Sequence, residues 1–318
     1  DHAGNIPNLV RQGFGGNIFS TPATRDLSAA MLPDSARINE QDIGYVNKKR
    51  ERKGEPPLEP LYTEEDATTA LSYFVSIPYW RTLPIANGVK LTFFDAGHIL
   101  GSAIVVLDLE EGGKTRRLVF SGDIGRQGIA ILRNHEFIDS ADFVIMESTY
   151  GDREHETLGE ATRKLRQVIT TSYRGGGKVL VPSFAVGRTQ ELVYALHRLS
   201  DDRKIPELPI FVDSPLAVNV TEIFRLHPDA YNDEVRKFMA EDRHHRSPFG
   251  FDQLTYIRKV QDSKELNFLK DSAVIISASG MCEGGRILHH LKNNIGDPNT
   301  TVLFVGYQAE NTLGRRIL

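Results

Sequence analysis

The sequence predicts an α/β protein of two domains, and three observations predict it. Between residues 94 and 152, three short apolar runs each end in a turn, and those turns carry His98, Asp123 and Glu147. Beyond residue 156, an apolar strand, a small polar turn and a helical pattern recur four times. Ahead of the first of these strands, after a helical stretch, the run Gly175-Gly176-Gly177 is a boundary signal. Residues 1–155 therefore read as a sandwich of sheets flanked by helices. Residues 156–318 read as a doubly wound parallel α/β domain, because continuous apolar strands between helices imply a sheet covered on both faces.

In chain order, the opening Asp1-His2-Ala3-Gly4 leads into an apolar helical turn with Ile6, Leu9 and Val10. Residues 17–21 predict a short strand. Pro22 then opens a helix with Ser20 or Thr21 as its cap. The polar and charged run from 35 to 53 reads as a solvated helix face in preference to an RNA patch, ended by Gly54-Glu55-Pro56-Pro57. Thr63 starts a second helix in a capping-box context, with Leu71, Phe74 and Val75 as its apolar stripe. Residues 89–94 and 103–109 predict strands, and 110–114 a hairpin turn before Val119. Past a helix over 160–172, the four recurring strands are expected at 179–181, 210–212, 274–276 and 302–305.

At 318 residues, the chain can bury two cores. Its 40% hydrophobic and 25% charged content is ordinary for a soluble globular protein. No apolar run approaches the ~20 residues of a membrane span, so no membrane partner is expected. The single Cys282 excludes a disulfide framework, fits a reducing cytoplasm and predicts a packed thiol. The net charge of −4 divides unevenly. Residues 1–172 carry 19 basic and 24 acidic side chains, and residues 173–318 carry 19 and 18. This distribution neither selects nor excludes a nucleic-acid partner.

His98, Asp123 and the Asp1-His2 pair are His and carboxylate side chains drawn from separated turns, a donor type that suits zinc. Taken singly, His98 and Asp123 read better as residues that cap their turns. His135, His155, His197, His227, His244 and His245 lack ligand spacing and read as surface or core histidines. The adjacent His289 and His290 point about 100° apart on a helix, so one is expected to face the core.

The order of these motifs resembles the metallo-β-lactamase fold. Asp1-His2 is similar to the end of that fold's first metal motif. Gly-His-Ile-Leu-Gly-Ser-Ala at 97–103 and Ser-Gly-Asp at 121–123 are similar to its later ones. Glu-Ser-Thr-Tyr-Gly at 147–151 narrows the resemblance to the β-CASP branch, which cleaves RNA and DNA. Pro-Ser-Phe-Ala-Val-Gly-Arg at 182–188 and Ser-Gly-Met-x-x-Gly-Gly-Arg at 279–286 resemble its prokaryotic RNA-processing members, relatives of the cleavage and polyadenylation factor endonuclease subunit. The resemblance covers the whole chain. It implies a partial αββα metallo-β-lactamase sandwich with an inserted β-CASP domain, and a chain truncated at both ends.

The resemblance further implies two zinc ions in the complete enzyme, with Asp1, His2, His98 and Asp123 as ligands and Asp123 bridging. Asp1 and Glu147 are then the catalytic carboxylates, with Glu147 orienting a histidine that protonates the leaving oxygen. The implied function is two-metal hydrolysis of RNA phosphodiester bonds in RNA processing or decay. It would act as an endonuclease or a 5′-exonuclease and leave 5′-phosphate and 3′-hydroxyl ends. The 318 residues alone are expected to be inactive and to bind zinc weakly, and a homodimer is compatible with the reading. Three alternatives stay open: a small-molecule metallohydrolase, a non-catalytic scaffold subunit of an RNA-processing complex, and a DNA rather than RNA substrate.

Ligands of open parallel sheets bind outside the carboxyl ends of the strands. Those ends carry Ser183 with Arg188 behind it, then Ser214, then Ser279 with Arg286 behind it. Hydroxyls, glycine amides and arginines suit phosphate oxygens, so these five residues are expected to hold RNA phosphates. The competing reading is that the serines cap helices and the arginines form ion pairs.

Overall fold

A computed structural model describes residues 2–152, 156–241 and 247–318. Asp1, His155, His244 and His245 lie outside the described residues. The chain forms two compact units. The first comprises Asp1–Ala96, Gly101–Asp123 and Glu136–Met146; the second comprises Gly97–Leu100, Ile124–His135 and Glu147–Leu318.

In the first unit, α1 (Ile6–Arg11) leads to β1 (Ile18–Ser20) and then to α2 (Pro22–Glu51). Thr21 caps α2 by accepting the Thr24 amide, with Pro22 in the first turn where its missing N–H is harmless. Thr21 and Thr24 also donate their hydroxyls to the Gly101 carbonyl, both at 2.8 Å. This ties the start of α2 to the turn at Gly101. The buried face of α2 ends at Ala36. The charged run beyond it forms a solvated helical extension, whose last turn carries Lys48, Lys49 and Arg50 where the helix dipole favours cations.

The capping box forms as expected: α3 (Glu64–Leu71) begins with reciprocal bonds between Thr63 and Asp66. The helix stops earlier than its expected stripe. Phe74 and Val75 lie instead in β2 (Phe74–Ser76), which pairs parallel with β1. An aromatic next to a β-branched residue suits a strand, and a partner strand was available to claim them.

The main sheet of this unit holds β3 (Leu83–Ala86), β4 (Val89–Asp95), β5 (Ala103–Glu111), β6 (Lys114–Phe120) and β7 (Phe143–Ile145), in that order. All neighbours pair antiparallel except β7, which joins β6 in parallel. The β5–β6 hairpin closes through Gly112 and Gly113, whose φ of 58° and 74° are what a two-residue primed turn requires. Leu91 and Phe93 pack with Ile77 in one apolar cluster, and Ile104, Val106 and Val119 pack with Ala96 in another.

The second unit begins with α4 (Leu158–Arg174), which Thr157 and Glu160 start with another capping box. Next come β8 (Val179–Pro182), α5 (Arg188–Asp201), β9 (Ile210–Asp213), α6 (Pro215–Leu226) and α7 (Asp233–Glu241). They are followed by β10 (Leu254–Ile257), α8 (Val260–Glu265), β11 (Val274–Ser277), α9 (Ile287–Asn294), β12 (Thr301–Val302) and α10 (Leu313–Ile317). The sheet order is β10-β9-β11-β8-β12, parallel throughout. The first three expected strands are present, while of the fourth, expected at 302–305, only Val302 lies in β12. β10 is an addition, and its alternating Leu-Thr-Tyr-Ile is a weaker strand signal than the continuous apolar runs beside it. The glycine run lies inside this unit, capping α4 before β8. Leu180, Ile275, Ile287 and Leu291 pack a core between sheet and helices. Cys282 joins this core, and burial, with Glu283 nearby, pushes its thiol up to about 11. Among the described residues, no helix is long and apolar enough to cross a membrane.

Candidate functional site

In the first unit, the start of the chain and the turn after β6 meet. His2 Nε2 donates to Asp123 Oδ2 at 3.0 Å across 121 residues of sequence. His2 is exposed and Asp123 half-buried, so the pair is open to a ligand from solvent. The turn holding Asp123 is fixed at its base, where the Ser121 amide donates to the Ile145 carbonyl of β7 at 2.9 Å. Imidazole nitrogen beside carboxylate oxygen is a donor pair that suits zinc. The fit is one of chemistry and is incomplete in number: among the described residues, no group of three or more His, Cys, Asp or Glu side chains could hold a metal ion. Asp1 lies outside the described residues.

The approach to His98 is braced from β4. Glu136 accepts the Asp95 amide at 2.8 Å and the Trp80 indole N–H at 2.7 Å, and its own amide donates to the Asp95 carbonyl at 2.9 Å. His98 itself belongs to the second unit, where backbone packing sets its turn. Gly97 adopts φ +60°, and a side chain there would stand 2.5 Å from the His135 amide. A side chain at Gly125 would stand 1.7 Å from the Gly97 carbonyl. Two glycine backbones in contact thus seat the turn that presents His98. His135 supports the same segment by donating Nδ1–H to the Gly125 carbonyl at 2.7 Å. Glu147, also in this unit, is half-buried and accepts the Ile124 amide through Oε1 at 2.8 Å. Its carboxylate is therefore anchored to the residue that follows Asp123.

The five residues expected at phosphates do not share one environment. Ser214 is the cap of α6, its hydroxyl accepting the Ala217 amide at 3.2 Å and buried. Ser183 is fully buried and caps nothing: it accepts the Thr189 hydroxyl at 3.0 Å, and Gly187 precedes α5 as its cap residue. Ser279 accepts the Glu283 amide at 3.0 Å. Arg188 is an exposed ion pair with Glu191 at 2.7 Å. Arg286 is drawn inward, one terminal nitrogen donating to Asp213 Oδ1 at 2.6 Å and the other to the Arg258 carbonyl at 2.7 Å. Its charge is neutralised within the fold.

Asp213 is the centre that sequence reasoning missed. It ends β9 fully buried, and its Oδ2 accepts both the Ser263 hydroxyl and His290 Nε2–H at 2.6 Å. Burial alone would raise its carboxyl. The hydrogen bonds from His290, Ser263 and Arg286 outweigh burial and hold the carboxyl below its usual range. Ser263 reaches the carboxylate rather than the imidazole, so no nucleophile–base relay exists here. The cluster is a brace joining β9, α8 and α9. His290 is the core-facing member of its pair, as expected, and His289 is exposed. His197 is likewise a core histidine, stacked 5.0 Å from Phe251. The spacing between residues 213 and 290 carries no local signal, so only the fold reveals their contact.

Residues 189–317 match the Beta-Casp domain family model. The whole chain aligns at 34% identity with ribonuclease TTHA0252 of Thermus thermophilus, covering 67% of that protein. It aligns end to end at 32% with the transcription termination factor FttA of Methanocaldococcus jannaschii and at 29% with endoribonuclease YSH1 of Saccharomyces cerevisiae, covering 47% and 39% of them. The chain thus spans two thirds of the bacterial relative and less than half of the other two.

Proposed function

The chain belongs to the β-CASP family of RNA-processing nucleases, and on that premise we propose that it is a zinc-dependent ribonuclease that hydrolyses RNA phosphodiester bonds in RNA processing or decay. The observation that carries the reading is the His2–Asp123 contact, which brings together two donors that the sequence separates by 121 positions. Asp1, His2, His98 and Asp123 are the residues of this chain that would hold zinc, as a two-ion set. When bound, zinc supplies Lewis-acid polarisation of the scissile phosphoryl group. Asp123 contributes one of the two carboxylates of the set, already oriented by His2. Glu147, fixed by the Ile124 amide, would orient the histidine that protonates the leaving oxygen instead of binding metal. The relatives named as a ribonuclease and an endoribonuclease support the RNA substrate and the hydrolytic reaction.

Two variants of the full-length protein test this division. Asp123→Asn should lose both metal and cleavage. Glu147→Gln should keep its metal while turnover falls by about 10²–10⁴, the scale of acid–base assistance. Metal content by mass spectrometry alongside cleavage of a labelled RNA reads both. Loss of metal from Glu147→Gln equal to that from Asp123→Asn contradicts the division. No cleavage by the zinc-loaded wild-type protein contradicts the proposal as a whole.

A further inference from the structure

We propose that a basic groove along α4 is a second RNA-binding surface, one that grips the phosphodiester backbone without regard to sequence. This rests on the nuclease reading above and assigns to it a surface outside the residues of the candidate site. The groove has a volume of about 450 Å³ and is lined by Arg163, Arg166, Gln167, Thr170, Thr171, Arg174 and Lys204. Its lining holds four cations and no carboxylate, in a chain whose net charge is −4.

The groove is built by two independent pieces of local structure. α4 buries Leu165, Ile169 and Ser172 on one face. The lining residues fall on the other face at helical spacing, so Arg163, Arg166, Thr170 and Arg174 follow one another along the groove. At 1.5 Å per residue, Arg163 and Arg174 stand about 16 Å apart along the axis, the reach of a few nucleotides of extended strand. Lys204 comes from the turn that ends α5. Arg203 there takes φ 51°, and the Lys204 amide donates to the Leu199 carbonyl at 2.8 Å, a backbone lock on the position of the lysine.

The arginines of the groove differ from others of the same unit in what they hold. Arg188, Arg198, Arg225 and Arg286 each pair with a carboxylate within 2.7 Å. Among the described residues, the side chains of Arg163, Arg166 and Arg174 make no hydrogen bond or ion pair. Arg163 lies in the field of Glu160, whose carboxyl is held low first by its bond to Thr157. Lys204 shares its charge with Asp202 at 2.8 Å. Like charges at i and i+3 on one helix face repel and destabilise the helix, so an anionic ligand relieves a cost that the free protein carries. Planar guanidinium groups match phosphate oxygens, and the threonine hydroxyls and Gln167 amide add donors to the same wall. No aromatic side chain lines the groove, so it lacks the stacking platforms that read or hold bases. A phosphate backbone is the ligand this chemistry recognises.

The test uses the full-length protein in the Glu147→Gln background and a fluorescein-labelled 24-nucleotide oligouridylate, with anisotropy titrations at several salt concentrations. Arg163→Gln, Arg166→Gln and Arg174→Gln are combined, since glutamine keeps helix propensity and the changed face is exposed. The control combines Lys48→Gln, Lys49→Gln and Lys53→Gln, which removes the same charge elsewhere. The groove variant should bind at least about tenfold more weakly at low salt. Its slope of log K against log salt should flatten by up to about 2, at ~0.7 for each single-strand phosphate that is no longer neutralised. The control should bind like the parent, and all three melting temperatures should agree. Equal weakening in the control and the groove variant reduces the effect to net charge and overturns the proposal. Unchanged slope and affinity in the groove variant overturn it while leaving the nuclease reading intact. No RNA binding by the parent overturns both.

Discussion

Asp213 shows what decides whether a buried carboxylate stays charged. Three donors converge on it, and together they outweigh the desolvation that would otherwise neutralise it. A carboxyl held below its unfolded value contributes stability that is present above about pH 4 and is lost as pH falls through the lowered value. Asp213→Asn removes that contribution and leaves the Arg286 charge with no counter-charge at 17% side-chain exposure. The expected loss is about 3–5 kcal/mol at pH 7. Melting curves of wild type and variant should differ most at neutral pH and converge as pH falls below about 4. A gap that stays constant from pH 7 to pH 3 would refute the role of the charge. The turns that carry His98, Asp123 and Glu147 were legible, because each follows an apolar run that forms a strand. Asp213 likewise closes an apolar run, as the last residue of β9, yet its partners lie 50, 73 and 77 positions away, beyond any local pattern. Arg286 escapes sequence reasoning for the same reason: its position after a glycine turn suggests phosphate, and the carboxylate that claims it is distant in sequence.

Elements were legible where the signal was chemical and local, and obscure where a partner strand decided. The Thr63–Asp66 capping box can be read from four letters. Thr63→Ala should cost about 1 kcal/mol, a shift in melting temperature detectable by calorimetry, and no change at all would deny the cap its role. The end of α3 could not be read, because Phe74 and Val75 satisfy a helical stripe as well as a strand. Only pairing with β1 settles them. The seat of His98 is a further property that no propensity encodes. Gly125 has an unremarkable sequence context, yet its backbone touches that of Gly97. Gly125→Ala places a methyl group against a carbonyl that cannot retreat without moving the His98 turn. The expected destabilisation is about 1–3 kcal/mol, the range for overpacking. An alanine variant with wild-type melting temperature would show that the turn has slack.

Across the whole molecule, the division of labour follows charge and topology more than composition. β8, β9 and β11 are built on continuous apolar runs, so the parallel sheet of the second unit was predictable; β10, which alternates, was not. The candidate site residues are distributed over both units: His2 and Asp123 in the first, His98 and Glu147 in the second. A net charge of −4 conceals a groove lined by four cations, which bulk counting could not have found. The central claim is that this chain supplies zinc-dependent hydrolysis of RNA through the His2–Asp123 pair. The most direct measurement is cleavage of a labelled RNA by the full-length protein, with identification of the product ends, before chelation, after chelation and after zinc is restored. His2→Ala should be carried through the same series. The account predicts fragments with 5′-phosphates from the wild type, lost on chelation and recovered with zinc, and no recovery in His2→Ala. Cleavage that survives chelation, or a His2→Ala variant that recovers like wild type, would contradict it.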